Sequence, residues 1–184
     1  MFSSLVRAGI PVWVIKVLYN WYNKLCVCVR WNCTLSRCFA VRSGVRQGSS
    51  LSPAIFNVFI NIFICKLKSL NIGCKIDGRF IGAIMYADDL LLLSATVSGL
   101  QQMLNTCNTI CRESLLEFNH KKSVCTVTGV ASRLVISSLP LGKENVEWSS
   151  TFKYLGVTFT TGKKLSVDIM IIKREILCLL VTAF

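Results

Sequence analysis

Apolar positions recur along the chain at two different periods. Over residues 53 to 70 they return every three or four positions, at Phe56, Phe59, Ile60, Phe63, Ile64, Leu67 and Leu70, which is the spacing of one buried helix face. Ser52 and Pro53 stand just ahead of this run, an N-cap residue and a proline in the first helical position. The same period governs residues 99 to 117, through Leu100, Met103, Leu104, Cys107, Ile110, Cys111 and Leu115, with Phe118 following. Ser98 and Gln101 there form a capping-box pattern. Residues 3 to 24 also read as helical, with an interruption near Pro11 that starts the longer segment "PVWVIKVLYNWYNKL".

Elsewhere the period shortens toward two. "CVCVRWNCTLSRCFAVRS" reads as two β-rich runs forming a hairpin around "NCTLS". "GCKIDGRFIGAIMYADDLLLLSA" holds a D-G turn at Asp77 and Gly78, then two apolar runs joined by a hairpin tip at Ala87 and Asp88. "KKSVCTVTG", "RLVISSLPL", "NVEWSS" and "FKYLGVTFTT" are strand-like, and "SVDIMIIKREILCLLVTAF" reads as a helix opened by Ser166. The pattern shows no repeats or linkers, so the chain reads as one compact unit.

A mean hydropathy of +0.56 raises the question of a membrane segment. Spanning a bilayer takes roughly 18 to 20 apolar residues in a row. "AIFNVFINIFI" is interrupted by Asn57 and Asn61 and closed by Lys66 and Lys68, while the first apolar stretch carries Arg7, Pro11 and Lys16, which also argue against a secretory leader. No membrane partner is expected. Without a leader, the ten cysteines read as reduced, buried small apolar residues, and the lack of any C-x-x-C pair and the single histidine, His120, argue against structural zinc. His120, beside Lys121 and Lys122, reads as an exposed loop or strand-entry residue.

Charge is unevenly distributed. Residues 1 to 76 contain ten Lys or Arg and no Asp or Glu. Basic residues interleaved with aromatics, as in "NWYNKLCVCVRW", suit either a phosphate-binding surface with stacking options or a solvated basic face. Arg30, Arg37 and Arg42 line the predicted hairpin. The loop "SGVRQGSSLSP" runs directly into a helix N-terminus, where free backbone N–H groups and the helix dipole favour a bound phosphate.

Against this background Asp88 and Asp89 stand out. On local pattern alone, two Asp at a hairpin tip make a polar, solvated turn. Two carboxylates about 5 Å apart nevertheless repel by roughly 3 kcal/mol at an effective dielectric of 20, and apolar runs flank them on both sides. A hard divalent cation such as magnesium, with its preference for oxygen ligands, accounts for the pairing.

Four motifs occur in order, "GVRQGSSLSPAIFNVFIN", "YADD", "LEFNHKKS" and "FKYLGV". Together they resemble the palm of reverse transcriptases, and most closely that of the non-LTR, LINE-type retrotransposon enzymes. The resemblance implies RNA-directed DNA synthesis with two Mg2+ ions, an RNA template, a DNA primer and deoxynucleoside triphosphates. It implies that Asp88 is a metal ligand and that Asp89 supports it. It puts Tyr86 and Ala87 beside the primer end, and Arg46, Gln47 and Gly48 along the incoming nucleotide and template base. Asn119 and Lys122 match an N-x-x-K pattern whose lysine lies near the nucleotide phosphates and acts as a general acid. Tyr154, Leu155 and Gly156 resemble the primer-grip turn, and Arg30 and Arg42 are expected on the nucleic-acid backbone. On this basis the expected fold is α+β, a palm whose antiparallel sheet centres on the "YADD" hairpin and is backed by the helices at about 53 to 70 and 99 to 117; residues 1 to 50 would be a piece of the fingers, 51 to 162 the palm and 163 to 184 the start of the thumb.

The sequence also departs from the family pattern. The resemblance implies a further catalytic aspartate upstream of "FSSLVRAGIP", and no acidic residue precedes Asp77. The chain therefore reads as a fragment that starts after the first catalytic motif, lacks most of the fingers and thumb, and is inactive alone. A nucleic-acid-binding remnant without chemistry is the alternative.

Overall fold

The computed structural model describes residues 1–41, 44, 48–129 and 138–167. Two compact units, Met1–Cys65 and Lys66–Phe184, replace the single unit expected, and their boundary falls inside a continuous helix rather than in a linker.

In the first unit, α1 (Phe2–Arg7) and α2 (Val12–Asn23) are separated at Pro11, whose φ of −55° and ψ of 137° leave it extended as the N-cap of α2. A proline tolerates this place because the first helical N–H groups have no intrahelical acceptor. Leu5, Ile15 and Leu18 close on Ile55 as the core of the unit. Ile55 lies outside the apolar register predicted for its helix. The predicted hairpin forms from β1 (Cys26–Val27), β2 (Arg30–Trp31), β3 (Thr34–Leu35) and β4 (Phe39–Ala40), with β2 paired to β3 inside and β1 to β4 outside. Between the two pairs the register slips by one residue. Ser36 bridges the slip, its N–H donating to the Val29 carbonyl and its Oγ accepting from the Val29 N–H, both at 2.9 Å.

The helix that carries the boundary, α3 (Ser52–Ser69), buries Ile55, Ile60, Phe63 and Leu67. In the second unit, β5 (Lys75–Ile76) and β6 (Arg79–Phe80) are joined by the expected Asp77–Gly78 turn. β7 (Ala83–Tyr86) and β8 (Asp89–Leu92) follow as an antiparallel hairpin. Backbone bonds Cys74 N–H to Leu93 O (3.0 Å) and Leu93 N–H to Gly82 O (2.8 Å) tie the bases of the two hairpins together. Gly82 is buried at this junction. A Cβ there would meet the Phe80 ring at 2.6 Å and the Gly73 Cα at 3.0 Å.

α4 (Val97–Ser114) is capped by Thr96, whose Oγ1 accepts from the Gly99 N–H at 3.1 Å. The expected cap at Ser98 is thus corrected: Thr96 has the extended backbone a cap requires, and Ser98 already lies within the first turn. Met103, Leu104, Cys107, Ile110 and Cys111 are buried as predicted, but Leu115 is 95% exposed. Leu115 takes the left-handed conformation (φ 55°) that ends the helix, so it leaves the apolar face.

A 3₁₀ turn, His120–Lys122, leads to β9 (Val124–Cys125), followed by β10 (Leu139–Leu141) and β11 (Glu144–Trp148). These make a sheet in the order β10, β11, β9, in which β9 and β11 run parallel. Leu104 of α4 packs with Cys125, Leu139, Leu141 and Val146 of this sheet, and Leu92 of β8 joins the cluster. The core thereby anchors one arm of the carboxylate hairpin.

β12 (Thr151–Tyr154) and β13 (Val157–Thr160) form a further hairpin, stiffened by stacked Phe152 and Phe159 rings 5.0 Å apart, and β14 (Ser166–Val167) pairs with β13. Ser166 is therefore in a strand and not at a helix N-cap, while the predicted helix from residue 168 onward lies outside the described residues, as does most of "RLVISS". The α+β class holds, with the strands distributed over small sheets.

Cysteine burial is divided. Cys107, Cys111 and Cys125 are buried, and desolvation pushes the Cys107 thiol up to about 12 and that of Cys111 to about 11. Cys26, Cys28, Cys33, Cys38 and Cys65 are exposed, against expectation. The first four lie in the strand hairpin of the first unit, where exposed side chains predominate. Among the described residues no helix is long and apolar enough to cross a membrane.

Candidate active site

Tyr86 pairs with Asp89 across the β7–β8 hairpin, which leaves Ala87 and Asp88 as its two-residue tip, as predicted. Ala87 has a φ of +49°. Glycine enters this region without cost, whereas a Cβ makes it strained. The anchored arm of β8 and the strained tip project both Asp88 and Asp89 into solvent at the end of the hairpin.

The carboxylates border a cleft of about 440 Å³. Its floor is apolar, with Leu100 and Leu104 from α4, Leu141 and Val146 from the sheet, and Phe118 and Phe152. Its rim carries Asp88, Asp89, Asn119, Lys122 and Tyr154, which come from three motifs spread over 67 positions of sequence. The 3₁₀ turn delivers the Asn119–Lys122 edge. There the Asn119 carbonyl accepts from the Lys122 and Ser123 N–H groups, both at 3.1 Å, and from the Ser123 hydroxyl at 2.9 Å.

Tyr154 closes β12 beside the turn Leu155–Gly156, whose φ values of +50° and +80° are those of a type I′ hairpin. Glycine suits this geometry. Leucine does not, and Leu155 stands 49% exposed at the tip. The Tyr154 hydroxyl is sealed from solvent without a hydrogen-bond partner among the described residues, and burial, followed by the negative charge of Asp89, pushes its pKa above the ordinary phenol value.

Other predicted site residues lie apart from the cleft lining. Tyr86 is 65% exposed on the carboxylate hairpin. Arg30 and Gly48 belong to the first unit, where Arg30 is exposed with its Nε donating to the Asn32 carbonyl at 3.4 Å, and Gly48 has a φ of +77°. Arg42, Arg46 and Gln47 lie outside the described residues. His120, expected exposed, is half-buried. Its Nδ1 is sealed without a hydrogen-bond partner, and Glu144 Oε2 stands 3.9 Å away.

The cleft also contains Glu117 and Lys153, which sequence reasoning passed over. Both sit inside motifs already quoted, "LEFNHKKS" and "FKYLGV". The signal for Glu117 was the scarcity of acidic residues, nine in the whole chain.

Among the described residues no group of three or more His, Cys, Asp or Glu is arranged to hold a metal ion. The pair Asp88 and Asp89 still fits magnesium, because that ion keeps several waters and is commonly held by one or two carboxylates plus substrate phosphates. Two adjacent hard-oxygen donors facing solvent meet that requirement.

A family profile described as "Reverse transcriptase (RNA-dependent DNA polymerase)" matches residues 3–159. The chain is 31% identical over 176 residues, 89% of its length, to the "Retrovirus-related Pol polyprotein from type-2 retrotransposable element R2DM" of Drosophila melanogaster, of which it covers 16%. It is 33% identical over 132 residues, 67% of its length, to the "Retrovirus-related Pol polyprotein from type-1 retrotransposable element R2" of Popillia japonica, covering 19% of that protein. A 28% identity over 132 residues links 70% of the chain to the "Transposon TX1 uncharacterized 149 kDa protein" of Xenopus laevis, covering 10%. The chain thus spans about a fifth or less of these curated relatives.

Proposed function

The chain belongs to the reverse transcriptase family, as a partial domain of α+β class, and from that membership we propose that it carries the metal-holding hairpin of a retrotransposon's RNA-directed DNA polymerase. The observation that supports this best is the cleft, where the "YADD" tip, the Asn119–Lys122 turn and Tyr154 meet. Magnesium bound there would lower the pKa of the primer 3′-hydroxyl and neutralise the triphosphate. Asp88 supplies the principal carboxylate and Asp89 supports it. Lys122, exposed on the cleft rim, brings a positive charge to the nucleotide phosphates and a proton for the leaving group. Asn119, Arg46, Gln47 and Gly48 bind the nucleotide and template base. Tyr86, Ala87 and the Tyr154–Leu155–Gly156 turn bear on the primer, and Arg30 and Arg42 on backbone phosphates. Residues 1 to 50 serve as part of the fingers, 51 to 162 as the palm and 163 to 184 as the start of the thumb.

One observation favours a second reading. The catalytic reaction calls for a further carboxylate, and residues 1 to 76 contain none. On that reading these 184 residues bind nucleic acid without extending a primer. Primer extension on poly(rA) with an oligo(dT) primer and magnesium tests this: we expect no incorporation by the 184 residues alone. Template-dependent incorporation that disappears in Asp88→Ala would instead establish a self-sufficient polymerase. In either case RNA and hybrid duplexes are expected to bind with strong salt dependence, log affinity falling with log salt at about −0.7 to −0.9 per neutralised phosphate. Affinity indifferent to salt, or undiminished by joint replacement of Arg30, Arg42 and Arg46, would remove the basic face from the account.

A further inference from the structure

Three side-chain polar atoms among the described residues are sealed from solvent without a hydrogen-bond partner: Gln101 Oε1, His120 Nδ1 and the Tyr154 hydroxyl. Of these residues only Tyr154 lines the cleft with Asp88 and Asp89. A phenol held this way has given up its water hydrogen bonds and received nothing in return, a state that native structures rarely keep without a reason. The rest of its hairpin does not call for the hydroxyl, since the Phe152–Phe159 stack and the β12–β13 ladder already hold the strands together.

The carboxylate side has the complementary shortage. Asp89 is exposed, and among the described residues its side chain has no hydrogen bond or ion pair. Two adjacent carboxylates left to themselves turn away from one another, whereas a shared cation needs both turned inward. Carboxylates that bind metals are commonly held in orientation by a hydrogen-bond donor behind them.

We propose that Tyr154 is a positioning residue for the carboxylate pair: when a divalent cation occupies the hairpin tip, the Tyr154 hydroxyl donates to the Asp89 carboxylate and holds its free oxygen toward the ion. This inference rests on the metal reading of Asp88 and Asp89. It adds to the primer-side role of Tyr154 a duty toward the metal.

Mn2+ binding to the 184-residue chain, read by water-proton relaxation, tests it through a double-mutant cycle. Tyr154→Phe keeps the ring and removes only the hydroxyl, and is expected to weaken Mn2+ about tenfold, in the range of lost outer-shell partners. In the Asp89→Asn background the same substitution is expected to change Mn2+ affinity by less than about twofold, because the group it orients is gone. Wild-type affinity in Tyr154→Phe overturns the proposal, as does equal weakening in both backgrounds, which would assign the hydroxyl a structural role. Wild-type Mn2+ binding combined with a silent Tyr154→Phe removes this inference alone. No Asp88-dependent Mn2+ binding in the wild type removes the metal reading and this inference together.

Discussion

Two turns, only ten residues apart in the chain, solve the same geometric problem with different residues. β5 and β6 are joined by Asp77–Gly78, with φ values of +48° and +74°, and β7 and β8 by Ala87–Asp88, with Ala87 at +49°. The first turn has the residue types that left-handed geometry favours. In the second, an alanine holds the strained position and a carboxylate stands beside another carboxylate. Where turn chemistry and turn geometry agree, a turn needs no further explanation; the conflict at Ala87 fits the metal-holding role proposed for this tip.

The largest structural effect that sharpens this contrast is expected at the junction of the two hairpins. Gly82→Ala places a methyl against the Phe80 ring and the Gly73 backbone, and should destabilise the chain by roughly 2 to 3 kcal/mol, as overpacking does. Chemical denaturation measures this, and a loss below about 0.5 kcal/mol would show that the junction yields. A smaller effect should come from Gly78→Ala, about 1 to 2 kcal/mol destabilising, because the glycine at φ +74° has open space around it and the cost is backbone strain alone. Ala87→Gly should have the opposite sign, a gain of roughly 0.5 to 1 kcal/mol, by relieving the same strain at the β7–β8 tip. Equal signs for these two substitutions would break the comparison. The smallest effect belongs to Asp77→Asn, which should leave both the melting temperature and Mn2+ affinity unchanged, since Asn tolerates left-handed geometry and Asp77 has no metal to hold.

What could be read in the sequence followed the same division. Helix faces came through wherever apolar spacing persisted, as in Met103, Leu104, Cys107, Ile110 and Cys111, and failed at Leu115, where the chain had already left the helix. The two tight turns were legible because D-G and the interruption of two apolar runs are local signals. The cap at Thr96 was missed because Ser98 presents an equally good pattern, and only backbone conformation separates the two. Ser166 looked like a helix start but pairs with Thr160 six positions earlier, because serine suits a helix cap and a strand end alike and only the backbone conformation separates the two. Asp88, Asp89, Asn119, Lys122 and Tyr154 were each singled out by motif order, but their meeting in one cleft depends on how α4 packs on the β9–β11 sheet. The sealed hydroxyl of Tyr154 emerges only from that packing.

The central claim is that Asp88 and Asp89 are paired to hold a divalent cation. It is tested most directly by Mn2+ binding to the wild-type chain and to Asp88→Asn, with magnesium as competitor and the melting temperature followed in parallel. An amide conserves the volume of the carboxylate and its tolerance of the turn, while removing the charge and an anionic oxygen donor. The account predicts Mn2+ binding that magnesium displaces in the wild type, a loss of at least about tenfold in Asp88→Asn, and a melting temperature unchanged or slightly raised as carboxylate repulsion is relieved. Equal Mn2+ affinity in the two proteins would contradict it and leave "YADD" as a solvated turn.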